Sequence, residues 1–156
     1  MISRRSLFIG VSAAPFLLRI AGAANPTVKM TRDPNCGCCT AWADHLRAEG
    51  FAVTVVDDPQ INRVKARLGV PGELASCHTA EVDGYVIEGH VPAASIRKLL
   101  AQRLDVRGLA VPRMPVGSPG MEVEGTPPDR YEVIAFGPRG RSVFARYEGV
   151  RELPAN

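Results

Sequence analysis

Residues 27–50 read TVKMTRDPNCGCCTAWADHLRAEG, and the organisation of the chain follows from this stretch. Thr27 to Thr31 has the composition of a short strand. Asp33-Pro34-Asn35 breaks it. A helix is expected from Cys38 or Cys39 to about Glu49, ended by Gly50. Cys39, Trp42 and Leu46 recur at helical spacing and should face a core. Three thiols, Cys36, Cys38 and Cys39, therefore fall at the junction of strand and helix, with Gly37 between the first two. Thiols this close either oxidise or bind a soft metal.

Working outward, Phe51 to Val56 reads as a second strand, apolar enough for a buried sheet position. Ile61 to Leu68 reads as a second helix, closed by Gly69 with Pro71 beyond. Asp83-Gly84 between two strand-like runs signals a two-residue hairpin. Ala93 to Gln102 completes a third helix. Residues 105–129, rich in Pro and Gly, are too long for a plain connector and suit a functional loop or lid. Tyr131–Phe136 and Ser142–Tyr147 form a last hairpin, with Pro138-Arg139-Gly140 in its turn. The order β-α-β-α-β-β-α is that of an α/β, thioredoxin-like core, here with a C-terminal loop and hairpin extension. In that fold a redox motif sits between the first strand and first helix, where Cys36-Gly-Cys-Cys39 lies and where Cys36 and Cys39 bracket a Cys-x-x-Cys.

The hairpin register brings in a fourth thiol. If Val82 pairs with Tyr85, counting outward sets Cys77 opposite His90 and His78 opposite Gly89. Opposed residues have Cα atoms about 4.5–5.5 Å apart. Cys77 should also lie across from the three-thiol run, at the place where the fold usually carries a cis-proline; no proline precedes Thr79 here. His78, as the strand neighbour of Cys77, is expected to leave by the opposite face. His45 is two helical turns from Cys38, about 10 Å along the axis, and is read as surface.

The free N–H groups at a helix start favour negative charge, so thiolates there should be stabilised. Cys39 should be the most buried of the three and Cys36 the outermost. Cys36, Cys38, Cys39 and Cys77 form the primary ligand set. His78, His90, Met114 and Met121 are further candidates, the methionines because thioether suits Cu(I). Zinc fits less well, because a site from Cys36, Cys39, Cys77 and a histidine leaves Cys38 surplus. No iron–sulfur spacing is present. Two structural disulfides would staple little chain with thiols so clustered.

Residues 1–24 carry Arg4-Arg5, an apolar stretch from Leu7 to Leu18 and Ala21-Gly-Ala-Ala24, the pattern of a cleaved export signal. Ser3-Arg-Arg-Ser-Leu-Phe8 resembles a twin-arginine signal. Residues 25–156 then form one domain, with no stable membrane span after cleavage. Arg4, Arg5 and Arg19 account for the whole formal charge of +3. The remainder is formally neutral and has no aromatic-rich strand, which argues against nucleic acid as a partner.

Cys36-Gly-Cys-Cys39, Ser76-Cys-His-Thr79, Asp83-Gly-Tyr-Val-Ile-Glu-Gly-His-Val-Pro92, Gly108-Leu-Ala-Val-Pro112 and Met114-Pro-Val-Gly-Ser-Pro-Gly-Met121 together resemble the CopG-like family of small exported proteins associated with copper resistance. These are unrelated to the DNA-binding repressor of the same name. The resemblance runs from about residue 27 to 147. It implies a thioredoxin-like fold, a periplasmic location, and Cu(I) on Cys36, Cys38, Cys39 and Cys77, as a multi-copper cluster. Storage, transfer to a second periplasmic copper-handling protein, and redox conversion of copper all fit it. The competing expectation is an enzyme, a thiol–disulfide oxidoreductase using Cys36 and Cys39.

Overall fold

The computed structural model describes residues 25–154. The expected export signal lies outside them. Strand β1 (Thr27–Arg32) leads into helix α1 (Gly37–Ala48), which returns to β2 (Ala52–Asp57), parallel to β1. Helix α2 (Ile61–Leu68) and a short 3₁₀ turn (Gly72–Leu74) precede the hairpin of β3 (His78–Val82) and β4 (Tyr85–Glu88). Helix α3 (Ala93–Gln102) crosses over to β5 (Gly108–Ala110), which runs parallel to β4. Strands β6 (Arg130–Gly137), β7 (Gly140–Glu148) and β8 (Arg151–Leu153) follow as an antiparallel meander. All eight described strands belong to one mixed sheet, ordered β2-β1-β3-β4-β5-β6-β7-β8. Among the described residues no helix is long and apolar enough to cross a membrane.

The sheet is covered on both faces. On one side Trp42, Ala43 and Leu46 of α1 and Ile96 and Leu99 of α3 bury against Val28, Met30, Ala80, Val82 and Ile87. On the other, Val64 and Leu68 of α2 pack on Val86, Ala110 and Phe136. Alternation along β4 sorts its side chains between the two, Ile87 to the α1/α3 side and Val86 to the α2 side.

Four expectations change. β2 is an edge strand with only Val53 and Val55 turned partly inward, because none of the described strands pairs with its outer side. Its unbroken apolar run had suggested a buried position. Residues 105–129 are not wholly irregular, since Gly108–Ala110 inserts as β5 and joins the C-terminal hairpin to the main sheet. Gly108 is required there, because a Cβ would lie 1.7 Å from the Val86 carbonyl oxygen. A final strand, β8, was not expected. His45 is half-buried rather than on the surface, and its Nε2 accepts the Ala93 backbone N–H at 3.4 Å.

Candidate metal centre

The Asp33-Pro34-Asn35 turn sets the thiols in place. Asp33 accepts the Asn35 N–H on its side chain (2.8 Å) and the Cys36 N–H on its carbonyl (3.0 Å). Cys36 is the N-cap of α1, with extended backbone and no side-chain cap bond. Arg32 steadies this end, donating from Nη1 to the Cys36 carbonyl (3.0 Å) and from Nε to Asp57 (2.8 Å).

Cys36 and Cys39 are joined as a disulfide. Cys38 and Cys77 are free. Cys38 Sγ lies 3.5 Å from Cys36 Sγ and 3.9 Å from Cys77 Sγ. All four sulfurs fall within 4.8 Å of one another. Cys39, on the inner face of α1, is fully buried while Cys36 and Cys38 are half-buried, so the expected ordering holds for Cys39.

Cys77 precedes β3, as its sequence position requires. The β3–β4 pairing keeps the predicted register, with Val82 opposite Tyr85 and Thr79 opposite Glu88. Beyond the ladder, Gly89 N–H bonds the His78 carbonyl at 3.0 Å. Cys77 Sγ lies 3.0 Å from His90 Nε2, as the register implied. His78 departs from expectation. The chain bends before β3, so strand alternation does not extend to Cys77, and His78 Nδ1 stands 3.2 Å from its Sγ. The His78 ring packs at 4.3 Å on Trp42 and at 5.1 Å, edge-on, to His90.

The loop between β5 and β6 closes over this corner. His90 Nδ1 donates to the Pro119 carbonyl at 2.8 Å, which leaves Nε2 unprotonated and aimed at Cys77. Gly120, at φ +83°, sits so close to α1 that a Cβ would meet Trp42 N at 2.6 Å and the Cys38 carbonyl oxygen at 3.1 Å. Ser76 bonds the Arg113 carbonyl at 2.5 Å, tying the loop to the residue before Cys77. The expected lid is thus a clamp. Met114 is half-exposed and lines an open cleft with Pro112, Pro115 and Tyr131; Met121 is half-buried and bonds Gly117 and Ser118 through its main chain.

Burial, followed by the neighbouring Cys38 thiol, pushes the Cys77 thiol up to about 12. Burial also lowers His78, helped by His90 and Lys65, and lowers His90 against the opposing pull of the Pro119 carbonyl and Glu122. The two imidazoles are therefore neutral and provide no cation to stabilise a Cys77 thiolate. The expected thiolate stabilisation at the helix start does not reach Cys77. A metal has to displace the proton.

One supporting group had no signal in the sequence. Lys65 Nζ and Glu88 Oε1 form an ion pair at 2.6 Å, 6% and 0% exposed, on the α2 side of the sheet. Thr79 Oγ1 accepts from Lys65 (2.9 Å) and donates to Glu88 Oε2 (2.5 Å). Glu88 Oε1 also accepts the Ser76 N–H at 2.6 Å. The pair thereby fixes the backbone one residue from Cys77.

A family described as "Protein of unknown function, DUF411" matches residues 74–121, which carry Cys77, His78, His90 and the clamp. No curated protein matches the chain. Two solved structures do, both named copper resistance protein CopG. Form 2 is 49% identical with a TM-score of 0.75, and form 1 is 50% identical with a TM-score of 0.73. Each match covers 79% of this chain and 98% of the other. The chain belongs to the CopG family. Its four-cysteine group and the Cys77, His78, His90 group have the donor types and proximity to hold a metal ion, and the CopG likeness makes copper the first metal to consider.

Proposed function

We propose that this chain is a periplasmic copper-binding protein of copper resistance. It holds Cu(I), as a multi-copper cluster, on the thiolates of Cys36, Cys38, Cys39 and Cys77. The observation that carries this reading is the convergence of four sulfurs within 4.8 Å of one another. Soft thiolates select Cu(I), and four of them can bridge more than one ion. His78, His90, Met114 and Met121 remain secondary ligands in this reading. The succession β1-α1-β2-α2-β3-β4-α3, with sheet order β2-β1-β3-β4 and β3 antiparallel to both its neighbours, supports a thioredoxin-like core. Residues 1–24 serve as the twin-arginine-like export signal, and 25–156 as one metal-binding domain.

Binding and release are redox-linked. With Cys36–Cys39 closed, two of the four ligands are tied up. Two electrons and two protons from a dithiol reductant open the bond to two thiols, and Cu(I) then displaces thiol protons. A disulfide oxidant, itself reduced to a dithiol by the two electrons it takes, closes the bond again and expels the metal to a partner or to storage elsewhere.

A second reading, a thiol–disulfide oxidoreductase using Cys36 and Cys39, is favoured by the closed disulfide itself. Anaerobic titration of the reduced protein with Cu(I) against a competing chelator separates the two. Retention of two or more copper ions per chain, lost in Cys38→Ser, supports the cluster. Absence of competitive retention, with Cys36 and Cys39 cycling readily between thiol and disulfide, favours the enzyme.

A further inference from the structure

With Cys36–Cys39 closed, two of the four sulfurs are tied up, yet a second donor set in the same corner is untouched. Cys77 Sγ, His78 Nδ1 and His90 Nε2 lie within metal-ligand range of one another, and Cys77 is 3.0 and 3.2 Å from the two ring nitrogens. They come from the bend before β3, the first residue of β3 and the turn after β4, so their mutual placement is set by the hairpin and not by the helix. We propose that in the disulfide form the chain holds one divalent transition-metal ion of borderline softness, of the Zn²⁺ class, on Cys77, His78 and His90.

Three features argue for a site over core filling. The far nitrogen of His90 donates to a backbone carbonyl, Pro119, which is the usual outer partner of a metal-bound imidazole and fixes the tautomer that offers Nε2. His78 is fully buried, and its Nε2 has no hydrogen-bond partner among the described residues. An apolar side chain would fill that space without the cost of about 1–3 kcal/mol for an unsatisfied buried group, so the ring's use lies at Nδ1, beside Cys77. One thiolate with two neutral imidazoles is also a borderline donor set. It suits divalent Zn, Co or Cu better than Cu(I), for which all-sulfur sites are preferred.

This set stands on its own geometry and does not depend on the Cu(I) reading. The two readings interact only through Cys77, which both require. Divalent metal in the disulfide form and Cu(I) in the reduced form therefore exclude one another on one chain.

Co²⁺ is the probe, because its ligand-field and thiolate charge-transfer absorption reports both geometry and sulfur ligation. The protein is kept anaerobic, with Cys36–Cys39 closed and two free thiols confirmed by titration. The expected result is one Co²⁺ per chain with a thiolate band, displaced by one equivalent of Zn²⁺. Cys77→Ser should abolish the band. His90→Gln and His78→Gln should each weaken binding by more than about 100-fold, beyond what loss of an outer partner alone costs. Circular dichroism of each variant checks that the fold is retained, and Cys77→Ser, close in size to the native residue, covers the case in which a histidine variant fails to fold. Cys38→Ser should lose Cu(I) in the reduced protein while keeping Co²⁺ in the disulfide form. Absence of Co²⁺ from the folded disulfide form, or a band that survives Cys77→Ser, overturns the proposal whatever the Cu(I) titration gives. Loss of the band in folded Cys38→Ser overturns it equally, by assigning the cobalt to the sulfur cluster.

Discussion

His90 Nε2 lies 3.0 Å from Cys77 Sγ, and that contact joins the hairpin to the thiol corner. The imidazole is neutral, so it accepts the Cys77 S–H without drawing the proton off. Metal-free Cys77 is accordingly a poor nucleophile.

Alkylation of Cys77 in the metal-free disulfide form should stay slow at pH 8 and rise only as the pH approaches about 12, whereas the unfolded chain should label near the ordinary thiol value of 9.0. The sign for stability follows. The folded thiol holds its proton more tightly than the unfolded one, so its contribution is complete below about pH 9 and is lost as the pH rises toward 12. Mass-spectrometric labelling rates with and without denaturant measure the difference. Rapid labelling of folded Cys77 at pH 8 would contradict the assignment.

Breaking the buried ion pair from one side should be costly. Glu88→Ala leaves the Lys65 charge buried and the Ser76 N–H without its acceptor, with an expected loss of about 3–5 kcal/mol. Lys65→Met combined with Glu88→Leu should cost less than Glu88→Ala, because no charge is stranded. Urea denaturation of the three proteins decides it. A double variant less stable than Glu88→Ala would mean the pair stabilises by attraction and not merely by mutual neutralisation.

Gly120→Ala tests the clamp. The added methyl meets Trp42 N and the Cys38 carbonyl, at a φ that disfavours any L side chain. A loss of about 1–3 kcal/mol is expected, with the His90–Pro119 bond disturbed and metal affinity falling alongside. Unchanged metal affinity in a folded Gly120→Ala protein would separate the loop from the site.

Trp42 is the single tryptophan of the chain, and its ring lies 4.3 Å from His78. Metal bound at His78 should change Trp42 emission in proportion to occupancy, saturating at the stoichiometry found by direct metal analysis. A flat emission signal during proven metal uptake would remove His78 from the ligands.

Local pattern announced the thiol junction. Helical spacing placed Cys39, Trp42 and Leu46 inward, and one Asp-Gly turn was enough to set the register that brings Cys77 to His90. Strand alternation misdirected His78, since it assumes a straight chain through a residue where the backbone bends. The apolar run of β2 misled for a different reason. Sheet position depends on which strands come later, and the sequence of a strand does not say whether it has one neighbour or two. β5 is three residues long in a Pro- and Gly-rich stretch and leaves almost no periodic trace. Lys65 and Glu88 look like ordinary surface charges, because their pairing is created by α2 lying across the hairpin.

The orienting partner of His90 is a main-chain oxygen, and every residue type carries one. Exchanging the side chain at position 119 would leave that acceptor in place so long as the loop keeps its path. The information that fixes the imidazole is therefore stored in the route of the backbone, at glycines such as Gly117 and Gly120 that have positive φ. A drift in function at this corner would show itself first as a glycine exchanged one or two positions away, with every candidate ligand still present.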